Sequence, residues 1–341
     1  MVHMSATFLQ DRGLGAFYGL ALGDALGMPT QSLPRALILQ RYGRISTLIG
    51  ADADQPIAPN MPAGAITDDT EQAILVAQLL VAGGGSIDPT ALAHSLIEWE
   101  AAMKAKGSYD LLGPSTKRAI EMILDGHSPE EAGRFGTTNG AAMRITPVGI
   151  AGDVSNREAF MAMAVQACQV THNTTLGISS AAAVAAVVSA GINGAPLAEA
   201  LETGAEVALS AERHGHWVAG GRIAARIQWA KALCADCTDD QLADRVHDVI
   251  GTSVASQESV VAAFTLAHRV ASSQLSPFDA VCMAASLGGD TDTIAAILGA
   301  MLGACNGMHA WPAALIEQID AVNTLDLAPL VEQLLPVRRP T

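Results

Sequence analysis

The sequence predicts an all-α protein, a single compact multi-helix domain over residues 1–341, and three observations carry that prediction. Helical periodicity dominates the apolar segments, and the alternating β-branched runs typical of strands are scarce. The Pro/Gly/Asn clusters between these segments are too short to be domain linkers. Half of the residues are hydrophobic but only 4% are aromatic. We therefore expect a large core of small side chains and closely packed helices.

The first predicted helix contains "GAFYGLALGDALGMP", residues 15–29, in which every fourth residue is glycine. Residues four apart share one face of a helix, and each glycine there costs roughly 1 kcal/mol relative to alanine. Such a row predicts close contact with another helix. Gly299 and Gly303 repeat the spacing near the end of the chain, so we expect the first and last long helices to be neighbours. The glycines of the first row are Gly15, Gly19, Gly23 and Gly27.

Two further apolar segments begin with clusters of aspartate and threonine: "AITDDTEQAILVAQLLVAG" at 65–83 and "GGDTDTIAAILGAMLGA" at 288–304. Alone, each cluster indicates a capped helix start. Together they contain more oxygen atoms than capping requires, and four converging carboxylates would repel one another without cations. Mg²⁺ and Mn²⁺ prefer oxygen ligands. Since cysteine and histidine do not recur at ligand spacing, zinc is disfavoured.

The segment "TTNGAAMRITPVG", residues 137–149, has little side-chain bulk and could bring backbone N–H groups close to a phosphate. A plain Asn-Gly turn is the alternative interpretation. Arg144, in the same segment, is either a phosphate ligand or a buried ion-pair partner, and we favour the ion pair. Asp24 lies in apolar surroundings, which predicts a supporting role beside the metal ions that the two Asp/Thr clusters would bind. Glu258 is a weaker candidate for that role.

The composition also limits the partners. A net charge of −15 argues against nucleic acid, and an anionic substrate would need local cations or helix N-termini. The apolar stretch 176–201 has no basic flanks, so a buried helix is favoured over a membrane span. Five scattered cysteines and the lack of a signal-peptide pattern predict a cytoplasmic location. We interpret Cys234 and Cys237 as exposed helical cysteines rather than a zinc or redox pair.

Five motifs in this order resemble the ADP-ribosylglycohydrolase family, which includes dinitrogenase-reductase-activating glycohydrolase. They are "LGDALGMP" at 22–29, "ITDDT" at 66–70, "TNGAAMR" at 138–144, "TH" at 171–172 and "LGGDTDT" at 287–293. The resemblance covers nearly the whole chain. It implies an all-α fold, a binuclear Mg²⁺ or Mn²⁺ centre and hydrolysis of the glycosidic bond at C1 of a ribose, with an ADP-ribose conjugate as the first substrate class.

The resemblance also implies roles for individual residues. The implied metal ligands are Thr67, Asp68, Asp69, Asp290, Asp292 and Thr293. Asp290 is expected to orient the attacking water, and Asp69 and Gln31 complete the catalytic candidates. The implied substrate contacts are Asn139, Gly140, Ala141, Ala142, Met143, His172 and Gly289.

Two departures from the family pattern leave alternatives open. Most members have glutamate where this chain has Gln31, and "YDLLGPST" replaces the Asp-x-Gly-Asn segment, with Pro114 after Gly113 and Asp110 out of register. The variant pattern resembles uncharacterised bacterial members and implies smaller substrates. The alternatives are hydrolysis of a small nucleoside or other N-riboside, and a non-catalytic ADP-ribose-binding protein. The sequence does not indicate an oligomeric state.

Overall fold

The structure, a computed structural model, describes residues 5–105, 112–272 and 274–338. Throughout these ranges the chain forms helices joined by turns, and they contain no strand, so the all-α prediction is confirmed. The helices, in chain order, are α1 (Ala6–Gly27), α2 (Arg35–Arg41), α3 (Asp68–Ala82), α4 (Pro89–Ala105), α5 (Pro114–Leu124), α6 (Pro129–Ala132), α7 (Gly140–Met143), α8 (Thr146–Ala151), α9 (Arg157–His172), α10 (Thr175–Ile192), α11 (Leu197–Ala211), α12 (Ile223–Leu233), α13 (Asp239–Arg245), α14 (Ser256–Ala271), α15 (Pro277–Ala284), α16 (Thr291–Asn306), α17 (Ala313–Asn323) and α18 (Ala328–Val337).

Helices α1 and α16 pack directly against each other along their glycine rows, as predicted. An added Cβ at Gly19 would overlap the carbonyl of Gly299, and one at Gly15 would overlap the carbonyl of Gly303. The contact continues to Gly27, where a Cβ would strike the backbone of Asp292. Because these glycines bring the two backbones together, the end of α1 lies against the start of α16.

Helix α10 forms the centre of the core. The segment Thr175–Ile192 is long and apolar enough to cross a membrane, but 94% of it is buried inside this fold. Helices α8, α11 and α16 pack around it. This burial agrees with the buried-helix interpretation of the sequence.

The cysteine prediction was wrong in two respects: Cys234 and Cys237 are buried, and they follow α12 instead of lying in a helix. Helix α12 ends at Leu233, and the Cys237 N–H then donates to the Cys234 carbonyl (3.3 Å), a turn that folds both thiols inward. Burial raises the pKa of Cys234 to about 11, so its thiol stays protonated at neutral pH. All five cysteines are free thiols.

Candidate active site

The two Asp/Thr clusters meet at the starts of α3 and α16. Asp69 Oδ2 accepts hydrogen bonds from the hydroxyls of Thr67 (3.3 Å) and Thr293 (3.4 Å). Asp69 and Thr293 are 224 positions apart in the sequence. The contact between α1 and α16 makes this meeting possible, because α1 also carries the carboxylate that holds the start of α3.

That carboxylate is Asp24, which is fully buried. It accepts from the backbone N–H groups of Thr67 (2.9 Å) and Thr70 (3.2 Å) and from their hydroxyls (2.8 and 2.5 Å). A side chain of one helix thus caps the N-terminus of another. Burial raises the pKa of Asp24 to about 6, and the hydrogen bonds from Thr70 and Thr67 oppose that rise. The structure therefore gives Asp24 a supporting position behind the predicted ligands.

A cavity of about 320 Å³ opens between these helix starts. Its lining contains five of the six predicted metal ligands, and Thr67 lies buried behind them. The lining residues are Gln31, Ser32, Ile57, Asp68, Asp69, Leu112, Gly113, Pro114, Lys117, Asn139, Gly140, Met143, Val254, Asp290, Asp292 and Thr293. A larger cavity of about 710 Å³ between α11, α12 and α14 contains none of the predicted site residues.

The carboxylates of the cavity are strongly perturbed. Burial, followed by repulsion from neighbouring aspartates, raises the pKa values of Asp68, Asp69 and Asp292 well above their ordinary range. Burial also raises the pKa of Asp290 to about 6, while hydrogen bonds from Asn139 and Thr293 lower it. One oxygen of Asp69 and one of Asp292 (Oδ1 in each) are buried without a hydrogen-bond partner among the described residues. Such a cluster favours protons or cations.

The donor chemistry fits a hard divalent cation. Carboxylate and hydroxyl oxygens suit Mg²⁺ or Mn²⁺, and Mg²⁺ usually keeps several water ligands. Among the described residues, no three His, Cys, Asp or Glu side chains form a group ready to hold one metal ion. A cation at this site would therefore need hydroxyl or water oxygens beside the carboxylates, and both the metal and the number of ions stay predictions. Gln31 adds an amide to the wall, and its Nε2 is buried without a partner in the described part of the chain.

Asn139 connects the predicted substrate segment to the carboxylates. Its side-chain nitrogen donates to Asp290 Oδ2 and to Ser259 Oγ (3.0 Å), and its backbone N–H donates to the Val254 carbonyl (2.9 Å). Asn139 therefore holds the Asp290 carboxylate at the cavity wall.

Not every predicted substrate contact borders the cavity. Residues 140–143 form the single turn α7 rather than an irregular loop, and only Gly140 and Met143 line the cavity. Ala141 and Ala142 are buried and do not line it. Gly140 is required by packing, because a Cβ there would lie 2.9 Å from Cε1 of His172.

Gly289 has a backbone role. Gly288 and Gly289 have φ values of +81° and +78°, which favour glycine. Gly289 donates its N–H to the Leu33 carbonyl (3.1 Å), and the next residue, Asp290, donates its N–H to the Thr252 carbonyl (2.7 Å). The glycine pair thus aims Asp290 at the cavity without itself lining it.

His172 and Arg144 are both fully buried and do not line the cavity. Threonine hydroxyls occupy both ring nitrogens of His172. Arg144 donates to Gln72 (3.0 Å), to Thr171 (2.6 Å) and to a backbone carbonyl, and it has no ion-pair partner in the described structure. Neither expected role for Arg144, phosphate ligand or ion-pair partner, fits this placement, because its partners are neutral groups sealed from solvent.

Some residues of the site were not predicted. Gln72 is four positions after Asp68 on α3, a spacing that could have revealed it. Lys117, in the first turn of α5, places a cationic side chain in the cavity wall. Because the protein is strongly acidic, an anionic substrate would need such a local cation. Pro114, one of the departures from the family pattern, occupies the first position of α5, where its missing N–H costs nothing.

Two other residues that the sequence singled out lie elsewhere. Glu258 accepts from the Ser253 N–H (3.0 Å) and so holds the loop that carries Thr252, rather than the carboxylates themselves. Asp110 lies outside the described residues.

Comparison with known proteins places these features in a family. The sequence matches the profile of the ADP-ribosylglycohydrolase family over residues 5–341. An uncharacterized protein of Escherichia coli, YegU, is 32% identical over 93% of this chain and 94% of its own length. The ADP-ribosylarginine hydrolase Tri1 of Pseudomonas putida is 25% identical over 95% of this chain and 80% of its own. A solved structure described as an ADP-ribosylglycohydrolase-related protein complex superposes with a TM-score of 0.68 at 25% identity, covering 98% of this chain and 100% of that one.

Proposed function

The chain belongs to the ADP-ribosylglycohydrolase family, and from this premise we propose that it is a Mg²⁺- or Mn²⁺-dependent hydrolase of ADP-ribose conjugates. Membership makes it a glycohydrolase; the metal and the conjugate are the proposal. The observation that carries it is the cavity lined by Asp68, Asp69, Asp290 and Asp292, in which one oxygen of Asp69 and one of Asp292 are buried without a partner among the described residues.

Asp290 is the residue best placed to activate water. It lines the cavity, Asn139 fixes one of its oxygens, and hydrogen bonds from Asn139 and Thr293 favour its ionised form against the burial that raises its pKa to about 6. A carboxylate in this state can orient a water molecule towards C1 of a ribose and accept its proton. The bond from C1 to the leaving nitrogen or oxygen breaks as the bond to water forms, through an oxocarbenium-like state that the surrounding carboxylates stabilise, and the proton taken up by Asp290 is then returned to the leaving atom.

The other acidic residues would hold the metal. Asp68, Asp69, Asp292 and Thr293 line the same cavity, and Thr67 supports Asp69 from behind. When bound there, two divalent ions would coordinate the ribose hydroxyls and offset the negative charge of the cluster. Asp290 would contribute to this set as well as to water activation, so its carboxylate has a metal-facing and a substrate-facing role.

The names of the relatives suggest which leaving group to test first. Because one of them is an ADP-ribosylarginine hydrolase, we propose ADP-ribosyl-arginine as the first conjugate to test and ADP-ribosyl-serine as the second. Lys117 at the cavity wall supports an anionic substrate. We further propose a cytoplasmic location, which the five free thiols favour.

An assay of ADP-ribose release tests the proposal. Peptides ADP-ribosylated on arginine or serine are incubated with the protein in Mg²⁺, Mn²⁺ or chelator, beside the Asp68→Asn variant. We expect release only with a divalent ion, and background release by the variant. Release that persists in chelator or in Asp68→Asn would refute the role of the metal, whereas no release from either peptide in any metal would refute the substrate class.

A small N-riboside is the second candidate, and Gln31 favours it. Its neutral amide stands in the cavity wall with Nε2 unpartnered among the described residues, and an amide cannot accept a proton as a carboxylate does. Nucleosides offered in the same assay would decide between the candidates. A nucleoside has no diphosphate, so Lys117→Ala should then leave turnover unchanged.

A further inference from the structure

Arg144 is at the centre of a buried chain of hydrogen bonds that the proposed mechanism does not use. The chain joins the cavity wall to the residue before Asn139 and consists of Asp68, Gln72, Arg144, Thr171, His172 and Thr138. All are buried except Thr138, which is partly exposed. The directions are set outward from Arg144, and the starting fact is that a guanidinium donates hydrogen bonds and never accepts them.

Towards Thr138, this fact fixes the tautomer of His172. Thr171 Oγ1 accepts from Arg144 Nη2 over 2.6 Å, and its own hydroxyl hydrogen has no acceptor among the described residues other than His172 Nδ1, 2.7 Å away, so we assign that hydrogen to Nδ1. Burial, and then the charge of Arg144, hold the pKa of His172 well below its ordinary value, so the ring is neutral. A neutral ring that accepts at Nδ1 carries its hydrogen on Nε2.

The consequence falls on Thr138. His172 Nε2–H donates to Thr138 Oγ1 over 2.9 Å, which leaves the hydroxyl hydrogen of Thr138 free to be donated. No acceptor for it lies among the described residues. Thr138 is partly exposed and directly precedes Asn139, which lines the cavity. An acceptor oxygen of a bound ligand would satisfy this donor.

Towards Asp68, the same fact fixes an amide. Arg144 Nη1 donates to Gln72 over 3.0 Å, so the amide oxygen must face the guanidinium. The NH₂ group of Gln72 then faces Asp68 Oδ2 (3.1 Å) and donates to it.

We propose that Arg144 is a positioning residue that sets the donor and acceptor directions on both sides of the site. Through Thr171 and His172 it makes Thr138 a hydroxyl donor to an oxygen of the bound ligand, and through Gln72 it supplies an amide donor to Asp68. The choice of ADP-ribose as the ligand rests on the proposed function. The tautomer of the His172 imidazole does not depend on the proposed function.

The tautomer can be measured directly by NMR of protein labelled with ¹⁵N-histidine, with His172→Gln identifying the His172 signals among the nine histidines. We expect a neutral ring protonated on Nε2 that does not titrate across the range in which histidines ordinarily do. In Thr171→Val the directing hydroxyl is lost, so both tautomers should be populated. A ring protonated on Nδ1 in the wild type, a titrating ring, or an unchanged tautomer in Thr171→Val would each overturn the proposal.

The ligand contact is tested by calorimetric titration of ADP-ribose in Mg²⁺ with Thr138→Val and, as the matched control, Thr138→Ser. Losing one hydrogen bond should weaken binding by about 10-fold in Thr138→Val, while Thr138→Ser keeps the hydroxyl and should stay within about 3-fold of wild type. Thermal unfolding confirms that both variants fold. Wild-type affinity in Thr138→Val would refute the contact. If the wild type itself bound no ADP-ribose, the proposed function would fail, and the tautomer would still decide the role of Arg144.

Discussion

At the scale of single residues, we expect each carboxylate of the cavity to strengthen binding of the proposed metal and to destabilise the metal-free fold. Asp292 is buried beside other aspartates that raise its pKa, and one of its oxygens has no described partner. Asp292→Asn removes one charge from this cluster. We expect the chelated variant to unfold about 2 °C or more above the wild type and to lose the stabilisation that Mg²⁺ gives.

Thermal unfolding in chelator and in Mg²⁺ measures both effects. Asp236→Asn, which neutralises an exposed carboxylate elsewhere, serves as the control and should leave both values unchanged. If Mg²⁺ raised the unfolding temperature of Asp292→Asn as much as that of the wild type, Asp292 would not be a metal ligand.

The same carboxylates predict how metal-free stability depends on pH. Their pKa values are raised in the folded state, to about 6 for Asp290, so the folded protein binds protons that the unfolded chain has released. The stability that these carboxylates contribute is therefore greatest below the unfolded pKa, near 4, and is lost as pH rises through the raised values. Denaturant unfolding of the chelated protein between pH 5 and 8 should show this decline, and Mg²⁺ should suppress it. Stability that rises over this range would show that the cluster does not control it.

Only part of this residue-scale picture could be predicted from sequence. The ligand candidates were readable because each cluster is local, with its oxygens within a few positions. The chain from Asp68 to Thr138 was not, because its members lie on α3, α9 and the segment around α7, and only the fold brings them together. The burial of Cys234 and Cys237 escaped prediction for the same reason: spacing says nothing about which side of a turn packs inward.

At the scale of helices, the packing of α1 against α16 is the feature that the sequence predicted best. Glycine at every fourth position is visible in a short stretch of sequence and lowers helix stability, so close packing against another helix could be inferred from it. In Gly19→Ala the added methyl group would overlap the Gly299 carbonyl, and relieving that overlap requires the backbones of the two helices to move apart. We expect a loss of unfolding free energy of at least about 2 kcal/mol in denaturant titrations.

Gly113→Ala is the matched control for that experiment. Gly113 has an ordinary φ of −65°, and an added Cβ there meets nothing within 4 Å. Because Gly113 is the N-cap of α5, where alanine is less favourable than glycine, we expect a loss of at most about 1 kcal/mol of unfolding free energy. Equal stability of the Gly19 and Gly113 variants would mean that α1 and α16 are not packed through their glycines.

The start of α3 depends on a carboxylate from another helix, which no local pattern could reveal in full. Asp24→Asn turns an acceptor of four hydrogen bonds into a group whose NH₂ faces donors. We expect Mg²⁺ affinity to fall on the order of 10- to 100-fold while helix content is retained. Asp11→Asn, on the same helix but beside Met308, should keep wild-type affinity. Unchanged affinity in Asp24→Asn would show that this cap does not position the site.

At the scale of the whole molecule, the site is assembled from distant parts of one chain. Helices α1, α3, α7 and α16 all contribute to it, so the carboxylates converge only when the entire fold forms. This arrangement supports the prediction of a single domain, which stays a prediction. It also explains how a protein with a net charge of −15 can concentrate further negative charge in one cavity: tight helix contacts hold the carboxylates in place, and a cation would neutralise them.

Calorimetric titration of ADP-ribose into the chelator-stripped protein, with and without Mg²⁺ or Mn²⁺, tests whether the four aspartates form a metal-dependent site for an ADP-ribosyl group. We expect the protein to bind the metal and ADP-ribose to bind only when the metal is present. ADP-ribose binding that is equally strong in chelator, or a protein that takes up neither ion, would contradict this assignment of the site.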